Sequence, residues 1–165
     1  ISLKESGIEL NAEEIGQTFE QNSKIRAMYL AKYTKEIVLA YSEGLWIDCL
    51  DGFPGIKTYR ILGKDATDEE RNAYLLRQLE GKDIYQRIAE VVTAVTVIRD
   101  GEIYTATGEI EGYIAEEPKG RNGIGFEPIF DARGGKTLAE MGTFEKNRIS
   151  SLKKAIKKLQ RYKVL

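Results

Sequence analysis

The apolar residues of the chain follow helical spacing in some segments and strand spacing in others, which predicts an α/β protein. One helix is predicted from about Gly16 to Tyr33, with Thr18 as its N-cap. A second begins after Thr67, and Glu70 stands at the capping-box position of that helix. A third is predicted from Thr143, as its N-cap, to about Tyr162. These three helices would flank whatever sheet the remaining segments form.

The apolar runs between the helices predict the strands of that sheet. Residues 36–40 are typical of a strand buried on both sides, followed by a turn at residues 41–44 and a second apolar stretch at residues 45–47. Two longer runs, at residues 88–98 and 102–114, flank an Asp-Gly pair that is a strong two-residue hairpin signal. The mixture predicts a mixed sheet with flanking helices.

Composition narrows the class of protein and the chemistry available to it. The 165 residues suit one domain that can bury a core without disulfides, and the single cysteine, Cys49, lies among apolar neighbours. We therefore expect a reduced, cytoplasmic protein. The chain contains no histidine, which excludes Ser-His-Asp and Cys-His catalysis and every His-ligated metal site. Any metal must be held by carboxylates and water, which points to Mg²⁺ or Mn²⁺.

The charge pattern indicates neither a nucleic acid nor a membrane partner. The formal net charge is -1, and no apolar run approaches the roughly 20 residues of a membrane span. Lysine pairs at positions 153–154 and 157–158 give the last predicted helix a basic face. Such pairs, opposite an apolar stripe, are typical of the solvated face of an amphipathic helix.

Four segments, in this order, resemble the motifs of the inosine triphosphate pyrophosphatase family. The first, Glu-Glu-Ile-Gly-Gln-Thr-Phe-Glu-Gln-Asn, is similar to Glu-Glu-Thr-Gly-x-Thr-Phe-x-Glu-Asn of the family. The third contains Gly-Ile-Gly-Phe-Glu-Pro-Ile-Phe, where the family has Gly-Phe-Gly-Tyr-Asp-Pro-Ile-Phe. The segments are residues 13–22, residues 52–55 with 65–68, residues 116–130, and residues 135–150.

The resemblance implies a fold, an activity and partners. The fold is a single inosine triphosphatase-like domain over residues 1–165, with a central cleft between two lobes. The activity is hydrolysis of ITP, XTP and their deoxy forms to the monophosphate and pyrophosphate, with Mg²⁺ or alternatively Mn²⁺, in a homodimer. The family's opening strand and helix, with a Thr-x-Asn-x-x-Lys phosphate loop, would precede the first segment, and the sequence from Ile1 onward does not contain them.

Five residues match positions that bind the nucleotide in the resembling family. Lys146 is implied as a nucleotide contact near a helix N-terminus, where backbone N–H groups also favour an anion. Phe126 and Glu127 would lie at the base end of the site, where an aromatic ring and a carboxylate can contact a purine. Ile124 occupies the position of the family's stacking phenylalanine, and Ser150 matches the serine of its Ser-His-Arg motif.

The metal and catalytic positions depart from the family pattern. Glu14 would be a metal-side carboxylate. The family's Ala-Asp-Asp-Ser-Gly-Leu places its second aspartate on the metal and the attacking water, and that position is Ser42 here. Glu43, one position later, is the candidate catalytic residue and second metal ligand. Ser151 and Leu152 replace the family's histidine and arginine. A catalytically degenerate homologue that binds a nucleotide, or acts as a structural dimer, is therefore the alternative function.

Overall fold

A computed structural model describes residues 2, 5, 7, 15–132 and 134–164, in which a four-stranded sheet has helices on both faces. All neighbouring strands pair antiparallel in the order β1-β2-β3-β4. The strands are β1 (Val38–Ile47), β2 (Ile88–Arg99), β3 (Glu102–Ile114) and β4 (Phe130–Asp131). The helices are α1 (Phe19–Leu30), α2 (Asp68–Gln78), α3 (Thr143–Ile149) and α4 (Ser151–Arg161). The predicted α/β fold with flanking helices is confirmed, but the described strands form an antiparallel sheet and not the mixed sheet that the sequence predicts.

Two predicted helix starts are confirmed by their caps. The Thr18 hydroxyl accepts a hydrogen bond from the Gln21 backbone N–H at 3.2 Å, at the start of α1. At the start of α2, the Thr67 hydroxyl accepts from the Glu70 N–H at 3.1 Å, and the Glu70 carboxylate accepts from the Thr67 N–H at 2.7 Å. Each cap satisfies N–H groups that the helix itself leaves unpaired.

The predicted hairpin is also confirmed. Strands β2 and β3 pair over their whole length, up to Arg99 opposite Glu102. Asp100 and Gly101 form the turn with φ values of 52° and 83°, the left-handed conformation that a two-residue hairpin requires.

The predicted turn at residues 41–44 is wrong, because these residues lie in the middle of β1. Every residue from Val38 to Ile47 pairs with one on β2, and this long-range pairing overrides the turn-like local sequence. The strand is also not buried on both sides, since Leu39 and Tyr41 are 39% and 45% exposed. Gly44 is needed because a Cβ there would lie 2.5 Å from the Gly55 carbonyl oxygen.

The single helix predicted from Thr143 is divided in two at Ser150. This residue has φ -46° and ψ 124°, and its hydroxyl accepts a hydrogen bond from the Lys153 N–H at 3.2 Å, so that it is the N-cap of α4. The N-cap of α3 is Gly142 rather than Thr143. A serine that competes for backbone hydrogen bonds thus begins a new helix inside an apolar pattern that is otherwise continuous.

The two faces of the sheet carry different helices. On one face, Ala27 of α1 packs against Val38 and Ala40 of β1. On the other, Val95 and Val97 of β2 pack against Ala155 and Leu159 of α4. A larger core continues on this second face and includes Leu45, Ile47, Val91, Ile110 and Phe126, with Leu75 and Leu79 of α2. Among the described residues, α1 is the longest helix at 12 residues, and none could cross a membrane.

Candidate active site

Glu43 is a largely buried carboxylate in the middle of β1. The Thr93 hydroxyl donates a hydrogen bond to Glu43 Oε2 at 2.6 Å, and the Ser151 hydroxyl donates to the same oxygen at 3.4 Å. Burial raises the pKa of Glu43; the hydrogen bonds from Thr93 and Ser151 oppose this rise, and the negative charge of Glu127 adds to it. An acid with a raised pKa among hydroxyl groups is typical of a functional site.

Strand geometry places Glu43 and Ser42 on opposite faces of the sheet. Consecutive strand residues project to opposite sides. Ser42 is 5% exposed and shares the face of Ala40, against which α1 packs. Glu43 shares the other face with Thr93, and contacts α4 through Ser151. Glu43 therefore does not take the place that an aspartate at position 42 would have.

Lys146 and Glu127 form an ion pair near Glu43. Lys146 Nζ lies 2.8 Å from Glu127 Oε2, and each side chain is 22% exposed. Lys146 also donates to the backbone carbonyl of Asn122, and Glu127 Oε2 accepts from the Ile124 N–H at 3.0 Å. Because the charge of Glu127 raises the pKa of Glu43, the pair and the buried acid share one electrostatic environment.

Helix α2 holds the loop that carries Ile124 and Glu127. The Asp68 carboxylate accepts from the Gly125 N–H at 2.8 Å, and the Asn72 side-chain amide donates to the Gly125 carbonyl at 2.9 Å. Gly125 has φ +58°, which glycine adopts without strain. The backbone N–H and the carbonyl of Gly125 are thus both hydrogen-bonded to α2, and these bonds define the position of the loop relative to that helix.

Tyr59 lies between the loop and Glu43. Its ring is 5.9 Å from that of Phe126, and a Cβ on Gly125 would lie 2.9 Å from the Tyr59 ring. A hydrogen bond from Tyr59 also lowers the pKa of Glu43. The pKa of Tyr59 is itself raised, first by burial and then by the charge of Glu43.

The structure brings some of the sequence-predicted site residues together. Glu43, Glu127 and Lys146 share one region, and Ile124 is 77% exposed beside them. Phe126 is 4% exposed in the core. Ser150 caps α4, next to Ser151, which contacts Glu43. The nucleotide contacts that the resemblance implies for these residues stay predictions.

Sequence reasoning missed three neighbours of Glu43, namely Thr93, Tyr59 and Ser151. The apolar run of β2 predicts that Thr93 is buried, but the strand partner of Thr93 depends on a register that the local pattern does not fix. The sequence singled out Ser151 only because it replaces the histidine of the family's Ser-His-Arg motif. No sequence signal marked Tyr59.

The structure describes only one of the two metal ligands predicted from the resemblance. Glu14 lies outside the described residues. Among residues 15–132 and 134–164, no three Cys, Asp or Glu side chains are grouped so that they could hold a metal ion. Glu43, the second predicted metal ligand, lies on the sheet face opposite to position 42, and its role as a metal ligand stays a prediction.

Comparisons with known proteins agree with this fold and with the sequence motifs. The sequence model of the Ham1 family matches residues 1–162. The dITP/XTP pyrophosphatase of Caldanaerobacter subterraneus is 42% identical over 98% of this chain and 82% of its own length, and that of Bacillus subtilis is 41% identical over 97% and 82%. The Ham1 protein of Staphylococcus aureus superposes with a TM-score of 0.89 at 32% identity, covering 98% of this chain and 84% of that protein. A family match over almost the whole sequence, together with close structural similarity, shows that the chain belongs to the Ham1 family.

Proposed function

We propose that this chain hydrolyses non-standard purine nucleoside triphosphates, such as dITP and XTP, to the monophosphate and pyrophosphate. The observation that carries the proposal is the ion pair of Lys146 with Glu127 beside the loop of Ile124, at the positions of the family's nucleotide contacts. Relatives that are 41–42% identical bear the name dITP/XTP pyrophosphatase, which supports the same reaction class.

In this proposal Lys146 contributes positive charge to nucleotide binding. It lies in α3, and its ammonium group is held beside the loop of Ile124 by Glu127 and by the Asn122 carbonyl. A triphosphate needs several cationic or N–H donors, and hydrogen bonds between charged groups are about twice as strong as neutral ones. Glu127, Ile124 and Ser150 complete the proposed nucleotide contacts. Phe126, which is 4% exposed, would act on the site through its packing on Tyr59.

We assign a divalent cation, Mg²⁺ or alternatively Mn²⁺, to Glu14. Magnesium sites in enzymes of phosphate esters often use one or two carboxylates, with waters and substrate phosphates as the other ligands. The chemistry that such a cation supplies is neutralisation of phosphate charge and polarisation of a phosphoryl oxygen. The homodimer that the family resemblance implies is part of the same proposal.

Release of pyrophosphate from a panel of triphosphates tests the proposal. We expect release from dITP and XTP in Mg²⁺, loss of release in a chelator, and slow release from dATP. Lys146→Ala should lower kcat/KM for dITP by about 10- to 100-fold, the range expected for losing a charged hydrogen bond. Lys158→Ala, which removes an exposed lysine of α4, is the matched control. If no triphosphate in the panel is hydrolysed with either cation, the proposed activity is wrong.

One observation favours the alternative function, a degenerate homologue that binds a nucleotide without turnover. The position of the family's catalytic aspartate is Ser42, and Glu43 points to the other face of the sheet. A serine cannot serve as a carboxylate base at neutral pH. Stabilisation of the protein by ITP in a thermal-shift assay, with no pyrophosphate release, would select this alternative.

A further inference from the structure

We infer that Glu43 is a positioning residue, which fixes the start of α4 and thereby the place of Lys146 in the site. The observation behind this inference is that Glu43 contacts Ser151, and that both residues depart from the family motifs. The inference rests on the proposed function and refines it. Glu43 acts on nucleotide binding through other residues, in place of the metal-binding and catalytic roles that the sequence predicts for it.

Glu43 is the final acceptor of a buried chain of hydrogen bonds. The Thr93 hydroxyl donates to Glu43 Oε2 at 2.6 Å, and the hydroxyls of Thr93 and Ser151 are 2.7 Å apart. A hydroxyl has one hydrogen and a carboxylate only accepts, so Thr93 gives its hydrogen to Glu43. Ser151 shares its own hydrogen between Thr93 and Glu43 Oε2, which is 3.4 Å away. Because Thr93 and Ser151 are at most 2% exposed, loss of the acceptor would leave a buried donor unpaired.

The two ends of this chain depart from the family motifs together. The motifs have serine where this sequence has Glu43, and histidine where it has Ser151. In both cases the strand and the helix contribute one serine and one longer polar side chain, but in opposite order. A longer side chain at position 43 requires a small one at position 151, because Ser151 is buried and touches Glu43. The two substitutions therefore compensate each other.

Ser151 connects Glu43 to the proposed nucleotide contacts on the helices. It follows Ser150, the N-cap of α4, and α3 ends just before this cap, at Ile149. Lys146 lies in the last turn of α3 and is bonded to Glu127 at 2.8 Å. A displacement of Ser151 is therefore passed to Lys146 through a short helix. Displacements of about 1 Å in a site already lower enzyme activity.

Glu43 reaches the loop of Ile124 by a second route. Tyr59 is hydrogen-bonded to Glu43, and its ring packs against Gly125, where a Cβ would lie 2.9 Å from the ring. The loop is thus held from the side of α3 by Lys146 and from the side of β1 by Tyr59. Both routes depend on a hydrogen-bond acceptor at position 43, and neither depends on a negative charge there.

Three variants separate a positioning role from a catalytic or metal-binding one. Glu43→Gln keeps the length of the side chain and an acceptor oxygen, whereas Glu43→Ser places no acceptor within reach of Thr93. The double variant Glu43→Ser with Ser151→His installs the residues of the family motifs. The matched controls are Glu102→Gln and Glu102→Ser, at an exposed glutamate of β3. Calorimetry with a non-hydrolysable dITP analogue and Mg²⁺ gives the affinity without turnover, and pyrophosphate release gives kcat, KM and the Mg²⁺ requirement.

We expect the analogue to bind Glu43→Gln within about threefold of wild type, with kcat and the Mg²⁺ requirement retained. Glu43→Ser should weaken binding and raise KM by about tenfold, the effect of one hydrogen bond, with a smaller change in kcat. The double variant should recover most of this loss, because its two substitutions act on one contact.

A loss of turnover of about 100-fold or more in Glu43→Gln, or a raised Mg²⁺ requirement, would overturn the inference and restore the catalytic or metal-binding role. A lower melting midpoint of Glu43→Ser with unchanged affinity would reduce Glu43 to a structural residue, and additive losses in the double variant would refute the compensation. A wild-type chain that binds the analogue without hydrolysing dITP contradicts the proposed activity alone, and the affinities still decide the role of Glu43. A wild-type chain that binds no nucleotide contradicts both.

Discussion

The hydrogen bond from Asn72 to the Gly125 carbonyl should be a main determinant of both stability and loop position. Asn72 is 4% exposed on α2, and its amide nitrogen lies 2.9 Å from the Gly125 oxygen. In Asn72→Ala that carbonyl loses its donor in a buried position, which costs about 1–3 kcal/mol. For a domain of this length, a loss of about 2 kcal/mol lowers the melting midpoint by roughly 4–8 °C.

The same substitution should weaken binding of the base more than binding of phosphate. In Asn72→Ala, α2 holds the loop of Ile124 and Glu127 only through Asp68, which accepts from the Gly125 N–H. Urea denaturation gives the free energy of unfolding, and calorimetry gives the affinity for IMP. Gln78→Ala, at an exposed position of the same helix, is the control. A change in unfolding free energy below about 0.5 kcal/mol would refute the reasoning, since that is the size of an ordinary surface substitution.

Three further predictions concern stability. Burial raises the pKa of Glu43 above its ordinary 4.5. Between pH 4.5 and the raised pKa, the folded protein therefore binds more protons than the unfolded one, and its free energy of unfolding falls as the pH rises through that window. Thermal melts should therefore show Glu43→Gln above wild type near pH 8 and equal to it near pH 4, and equal midpoints at both pH values would contradict this. Thr67→Ala removes the capping box of α2 and should cost about 1 kcal/mol in urea denaturation, whereas no loss would mean that the cap is not formed in solution. Gly108→Ala would place a Cβ 2.1 Å from the Ser151 carbonyl oxygen, so we expect about 1–3 kcal/mol of destabilisation; a variant as stable as wild type would contradict the close packing of α4 on β3.

Three features that local sequence determines were predicted correctly. Thr18 and Thr67 cap helices because a side-chain oxygen three residues before an N–H is sufficient for a cap. The Asp-Gly pair forms the hairpin between β2 and β3 because both residues adopt left-handed backbone conformations. Such signals need no knowledge of the rest of the fold.

The features that depend on distant partners were not predicted. Tyr-Ser-Glu-Gly at residues 41–44 resembles a turn, and only pairing with β2 makes it a strand. The direction of Glu43 follows from that strand, and its contact with Ser151 joins residues 108 positions apart. The break at Ser150 likewise becomes visible only when α4 is seen packed against the sheet. The family motifs located the region of the site, but only the structure identified the side chains that surround Glu43.

A crystal structure of the protein with a bound non-hydrolysable dITP analogue and Mg²⁺ would test the central claim most directly. The account predicts that the hypoxanthine lies beside Glu127 and Lys146, on the face of the sheet that carries α4. A base bound on the face covered by α1, without contact to Glu127 or Lys146, would contradict it.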